Sequence, residues 1–420
     1  MRALRLLLVL QLCTLCTLCT LSAAQRTELD NPFYLQLYGQ LRNIFFRVFA
    51  KNIENRRIHD GPALPNVQDE VPLNVPFPCN VTGSRSSQIP TSVHRLRPGD
   101  IDIIGGIGDS ITAGNAVFSK SILEILIESR GVSGSSGGQG TWRTYTTLPN
   151  ILKEFNPKLN GYAVGDSYIT HEASQFNVAE AGAMSRDMPF MAEYLVNRMR
   201  KDPRVDMNKH WKLITVMVGS NDFCINMCGS SSPWSILEEH KTDLVKTLRI
   251  LKANLPRTYV ALILSPHLRA LVEAQDNPKD INCYMITRFE CSCLLGLQFR
   301  SMRNEYYRIM DRWHDLDRIV AEYPEFHTDD FTVEIQPCLA NVKFPRHKDG
   351  NVDESYFAAD CFHVTQKTNA LYGNCLWNNL MESYDEKSDH WLPLFQKFLC
   401  PTRERPYLVT RQNSKGSNNL

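Results

Sequence analysis

The sequence carries almost no surplus charge of either sign, with 46 Lys and Arg against 45 Asp and Glu in 420 residues. Without a basic excess there is no global electrostatic pull toward nucleic acid, and no nucleic-acid partner is expected. Long apolar runs are also scarce. Only Leu6–Leu21 approaches the length of a membrane span, which takes about 20 apolar residues. Neither Gly-x-Gly-x-x-Gly nor a Walker sequence occurs, so nucleotide-binding readings have no support. No internal repeat or low-complexity block divides residues 99–395, which argues for one α/β unit there. Cys291-Ser-Cys293 and Cys224-x3-Cys228 are not followed by a second Cys/His pair at finger-like spacing, which argues against zinc.

What remains is a composition able to bury a large core: 43% apolar and 22% charged residues. Arg2 and Arg5 precede the apolar run, and Ser22-Ala23-Ala24 closes it with small residues. Residues 1–24 therefore read as a cleaved signal peptide, and the product is expected to be secreted. Of 13 cysteines, ten lie beyond this segment, an even number that favours disulfides in an oxidising compartment. Asn80-Val81-Thr82 is a glycosylation sequon on Asn80. The tail from 396 to 420 is polar, so no C-terminal lipid anchor is expected.

Within residues 25–98, Leu37, Leu41, Ile44, Phe45, Val48 and Phe49 recur at helical spacing. They predict an amphipathic helix over 34–49 that packs on the main core or touches lipid. Seven prolines between 62 and 98 make the rest of this lead-in irregular. The main body, 99–395, alternates short apolar runs with helical patterns. Strands are expected at 101–107, 175–179, 213–218, 259–264 and 331–335. Helices are expected at 118–129, 148–155, 188–200, 236–254, 300–323 and 369–383. Such alternation predicts a three-layer α/β/α sandwich around a central parallel sheet.

In open parallel sheets, ligands gather beyond the carboxyl ends of the strands. Four such ends carry polar residues: Gly108-Asp109-Ser110, Gly182, Gly219-Ser220-Asn221-Asp222, and Asp360-Cys361-Phe362-His363. A serine hydroxyl attacks well only if a base takes its proton. His363 can be that base, and Asp360, three residues earlier, can reach its other nitrogen and hold the imidazolium. An oxyanion formed on Ser110 would need preorganised donors. The N–H groups of Ser110 and Gly182 and the Asn221 amide could supply them. No Gly-x-Ser-x-Gly surrounds Ser110, because position 112 is Thr112, which argues against an α/β-hydrolase elbow. The chemistry requires no cofactor, and no metal site is expected.

The order Ser110, Gly182, Asn221, His363 resembles the SGNH (GDSL) hydrolase superfamily, with its flavodoxin-like fold. Further strings are similar to its phospholipase B branch: Pro78-Cys79, Ser92-Val93-His94, residues 96–101, residues 108–114, residues 147–152, residues 221–224, residues 360–363 and residues 376–379. The similarity covers about residues 75–385. One departure is Ala116, where many relatives have glycine. The resemblance implies a secreted serine esterase acting on glycerophospholipids and lysophospholipids through an acyl-serine intermediate. It also implies transient contact with a membrane or micelle surface and no obligate protein partner. Two rivals stay open: a carbohydrate or short-chain acyl esterase on the same scaffold, and a non-catalytic lipid-binding protein.

Overall fold

A computed structural model describes residues 65–276 and 280–414, together with helical residues within 33–48. The expected signal peptide lies outside the described residues. Among the described residues, no helix is long and apolar enough to cross a membrane.

In chain order the elements that position the site are β1 (Ile101–Gly108), α1 (Ser110–Ala113), α2 (Leu148–Phe155), α3 (Met188–Lys201), β2 (Trp211–Met217), α4 (Ser235–Asn254), β3 (Thr258–Ile263), α5 (Arg269–Gln275), α6 (Ile281–Glu290), α7 (Ser292–Leu295), α8 (Arg303–Ala321), β4 (Phe331–Gln336) and α9 (Gln366–Met381). The four strands form one parallel sheet in the order β1-β2-β3-β4. β2, β3 and β4 are buried along their whole length, as a sheet covered on both faces requires.

Alternate strand side chains feed two cores. On one face Ile103, Ile107, Ile214 and Val260 pack against Leu195 of α3 and Leu248 of α4. On the other, Ile104, Leu213, Tyr259 and Ile263 pack against Ile151 of α2 and Leu376 of α9. Full burial of each such aliphatic side chain contributes roughly 1.5–3 kcal/mol, so the three layers hold themselves. A third cluster lies past the strand ends, where Phe223, Leu271, Leu294, Tyr306 and Trp313 surround Cys224 and Cys291.

The fold departs from the sequence reading in several places. The expected strand at 175–179 lies beside β1, with Gly106 N–H donating to Phe176 O and Val178 N–H to Gly106 O. Gln175, at φ +50°, breaks its extended path, and only a single bridge at Asn177 forms. The helix expected at 118–129 is instead a loop with one 3-10 turn, Ile122–Leu126, closed by an antiparallel bridge between Asn115 and Glu128. The cause is Glu128, whose fully buried carboxylate meets the Arg130 guanidinium at 2.6 Å. Helices α5, α6 and α7 lack a clear apolar period in the sequence. The described residues within 33–48 are helical, but Leu37, Leu41, Ile44 and Val48 are 43–63% exposed rather than packed on the core. Arg42 of this segment lies on the buried carboxylates of Glu128 and Glu180, and Phe45 and Phe49 of the expected apolar face lie outside the described residues.

Eight of the ten expected cysteines pair, as Cys79–Cys400, Cys224–Cys291, Cys228–Cys293 and Cys283–Cys361. Cys338 and Cys375 are buried thiols.

Candidate active site

β1 delivers Ser110. The strand ends at Gly108, where a Cβ would lie 2.3 Å from the Thr112 hydroxyl, so only glycine lets the chain fold back this tightly. Asp109 then caps α1, its side chain accepting the Ile111 N–H at 3.0 Å. Burial pushes the Asp109 carboxyl up to about 6, against the pull of the Ile111 N–H and the charge of His363. Ser110 is the first residue of α1, and the chain leaves that turn at Gly114 in the left-handed region, φ +68°. Nearby Ala116 is also left-handed, φ +60°.

His363 arrives on a turn rather than a strand. One Asp360 oxygen accepts the N–H groups of Phe362 and His363 at 2.9 and 2.8 Å. The other lies 2.7 Å from His363 Nδ1. Asp360 thus fixes both the backbone and the ring, leaving Nε2 for a substrate. Between them Cys361 adopts φ +59°, and its disulfide to Cys283 ties the turn to α6. Burial alone would lower the His363 pKa, but the charge and hydrogen bond of Asp360, with Glu290 and Asp109, raise it to about 8. Burial alone would raise the Asp360 pKa, but the same contacts with His363 hold it below the usual carboxylate range.

The remaining expected donors sit on two loops that are tied together. The Asn221 side-chain amide donates one N–H to Ala183 O at 2.9 Å, leaving its second hydrogen free for a ligand. The Ser185 N–H donates to the Asp222 carboxylate at 3.1 Å. Asp222 is buried, and that burial pushes its carboxyl up to about 8. Gly182 has φ +82°, and a Cβ there would meet nothing within 4 Å, so backbone conformation rather than crowding calls for glycine.

Ser110, Ser220, Asn221 and His363 line one cleft. The rest of its wall is mainly apolar, with Leu268, Leu271, Phe344, Phe357, Phe362 and Trp391 prominent. Asp360 stands behind His363, and Gly182 lies on the adjoining loop rather than in the wall. Among the described residues no hydrogen bond joins Ser110 to His363, a looseness common before a substrate closes the site. Asn80 is exposed in the lead-in.

Two features of the site escape sequence reasoning. The apolar wall is assembled from loops that follow β3 and β4, and no local period announces it. Glu290, some 70 residues before the Asp360 turn, comes close to Asp360 and His363. The three could supply ligand atoms within 4.8 Å of one another. Both Asp360 oxygens already accept N–H groups. The one available signal was Glu290's place directly before Cys291-Ser-Cys293.

The model of the GDSL-like lipase/acylhydrolase family matches residues 104–376. The chain is also similar to "Phospholipase B1, membrane-associated" of Rattus norvegicus, at 39% identity over 338 residues, 78% of this chain and 23% of that protein. The Homo sapiens protein of the same name is 37% identical over 337 residues, again 78% of this chain and 23% of that one. The chain therefore spans about a quarter of the length of these relatives. An extracellular lipase from Streptomyces rimosus aligns at 12% identity over 64% of this chain and 94% of its own, with a TM-score of 0.30.

Proposed function

Because the chain belongs to the GDSL-like lipase/acylhydrolase family, we propose that it is a serine esterase with Ser110 as nucleophile. It cleaves fatty acyl esters of glycerophospholipids and lysophospholipids. The observation that carries the reading is the shared cleft, in which a hydroxyl, an imidazole and an amide meet at the mouth of an apolar wall.

Ser110 Oγ attacks the ester carbonyl while His363 Nε2 takes its proton. Asp360 keeps the other ring nitrogen protonated and stabilises the imidazolium. The oxyanion is received by the N–H groups of Ser110 and Gly182 and by the free Asn221 amide hydrogen. Collapse expels the glycerol oxygen, which leaves as an alcohol with the proton from His363. Water, activated by the same imidazole, then releases the fatty acid from Ser110. These steps use only side chains, backbone and water. A cleft walled by leucine, phenylalanine and tryptophan suits a long acyl chain better than a sugar, which favours the phospholipase reading over a carbohydrate esterase. In this reading residues 99–395 form the hydrolase unit. The protein is secreted, carries a glycan on the exposed Asn80, and meets its substrate at a membrane or micelle surface. Four disulfides fit such a compartment.

The test is Ser110→Ala in purified protein given phosphatidylcholine and its lyso form. The variant should fold and be secreted normally, yet lose turnover by about 10⁶-fold and fail to react with a fluorophosphonate. Wild-type-like hydrolysis by Ser110→Ala would remove Ser110 from the mechanism. A wild-type protein that cleaves short-chain or sugar esters but no phospholipid would move the substrate assignment to the rival esterase.

A further inference from the structure

Helix α6 ends at Glu290 and is fastened at both ends. Cys283 is bonded to Cys361 inside the Asp360–His363 turn, and Cys291, next after Glu290, is bonded to Cys224 just past Asn221. The two bonds hold the Glu290 carboxylate within 4.8 Å of Asp360 and His363. Its Oε2 is shut off from solvent and has no hydrogen-bond partner in the structure. A buried, unpaired carboxylate oxygen is costly, and it persists where another demand holds it there. The nearest charge able to repay that cost is an imidazolium.

We propose that Glu290 is a positioning residue for the general base, a second carboxylate that steadies His363 when it carries the serine proton. The inference rests on the esterase reading above. In the resting site His363 must be neutral to act as a base, and two carboxylates so close repel one another, so an ionised Glu290 is strained there until an imidazolium forms. Burial, and then the Asp360 charge, push its carboxyl up to about 7, while the charge of His363 pulls it back. When Ser110 gives its proton to His363, the imidazolium lies between two carboxylates instead of one. Glu290 is ionised when the proton transfer begins, and no bond to it forms or breaks. Its contribution is a carboxylate charge already in place beside the forming imidazolium, where a low local dielectric strengthens the attraction. The charged groups that face His363 are Asp360 from its own turn, Glu290 from α6 and Asp109 from the β1–α1 turn.

The test reads the imidazole directly. In Ser110→Ala protein, the His363 ring is titrated by NMR. It should protonate above the ordinary 6.5, in two coupled steps shared with Glu290. Adding Glu290→Gln should leave a single step lower by about one unit, since it removes one nearby negative charge. With Ser110 intact, the acid limb of kcat/KM should move down by the same amount in Glu290→Gln and return toward the wild-type position in Glu290→Asp. A merely structural role would lower activity or stability without moving that limb. If Glu290→Gln does not fold, the Ser110→Ala titration decides alone, and a single step at or below 6.5 overturns the proposal. If Ser110→Ala still turns over, the esterase reading fails. If it is inactive but the His363 titration ignores Glu290, only this inference fails.

Discussion

Ser110 and His363 reach one cleft on different kinds of support. Ser110 leaves a strand paired in parallel with β2 from Ile101 to Gly108, and the single linking residue, Asp109, caps α1 and sets it in place. His363 has only an isolated bridge, Phe357 to Val364, beside its turn. Its N–H is held by the Asp360 carboxylate and its carbonyl by the Ala358 N–H, and one disulfide ties the turn to α6. The nucleophile is therefore held by cooperative sheet hydrogen bonds and two hydrophobic layers, and the base by a short backbone bridge with a few side-chain and covalent contacts. Loss of a single supporting side chain should displace the nucleophile less than the base.

Asp360→Asn attacks the weaker side at its centre. The amide can still accept the Phe362 and His363 N–H groups, but it cannot stabilise an imidazolium, and it favours the wrong ring tautomer. The expected loss in kcat is about 10⁴-fold with little change in KM. A loss below tenfold would mean that the turn, not the carboxylate charge, fixes the base. The same comparison predicts how activity follows pH. His363 is raised to about 8 and works only when neutral, so kcat/KM should fall as pH drops through that value.

Asn221→Ala probes the strand side, because Asn221 follows β2 and lines the cleft. Loss of one oxyanion donor should lower kcat by about 10²–10³-fold. The Ala183 carbonyl also loses its partner, so a small fall in stability should accompany it. If KM rises instead while kcat holds, Asn221 binds ground-state substrate and is not an oxyanion donor.

The same division explains what could be read in the sequence. Strand ends carry a local signature, an apolar β-branched run stopped by glycine, and so Gly108-Asp109-Ser110 and Gly219-Ser220-Asn221 stood out. Asp360 and His363 stood out because three residues separate them, a spacing that one tight turn brings together. Glu290 and the apolar wall did not. Their neighbours are set by disulfides and loops that join residues far apart in the chain, and pairing among ten cysteines has no local code. The loop at 118–129 misled for a related reason. Its apolar spacing suits a helix, but the buried pairing of Glu128 with Arg130 decides its path. In the 34–49 pattern the described residues are helical, and among them Arg42 meets the body while Leu37 and Leu41 stay exposed.

The smallest effect is the one that separates the two supports most cleanly. Replacing both Cys283 and Cys361 by serine removes the covalent tie of the His363 turn and leaves Cys224–Cys291 to hold α6. Closing a long loop covalently is worth about 2–4 kcal/mol, and the remaining bond keeps the loss toward the lower figure. Asp360 still holds its three N–H contacts, so the base should wander rather than leave, and kcat should fall by no more than about tenfold. The decisive readout is local. Amide exchange should speed up around residues 357–364 and at the end of α6, while β1 and the Ser110 turn keep the protection of the intact sheet. Equal loosening of β1 would show that the nucleophile and the base share one cooperative unit, and the contrast between a strand-borne serine and a stapled histidine would have to be given up.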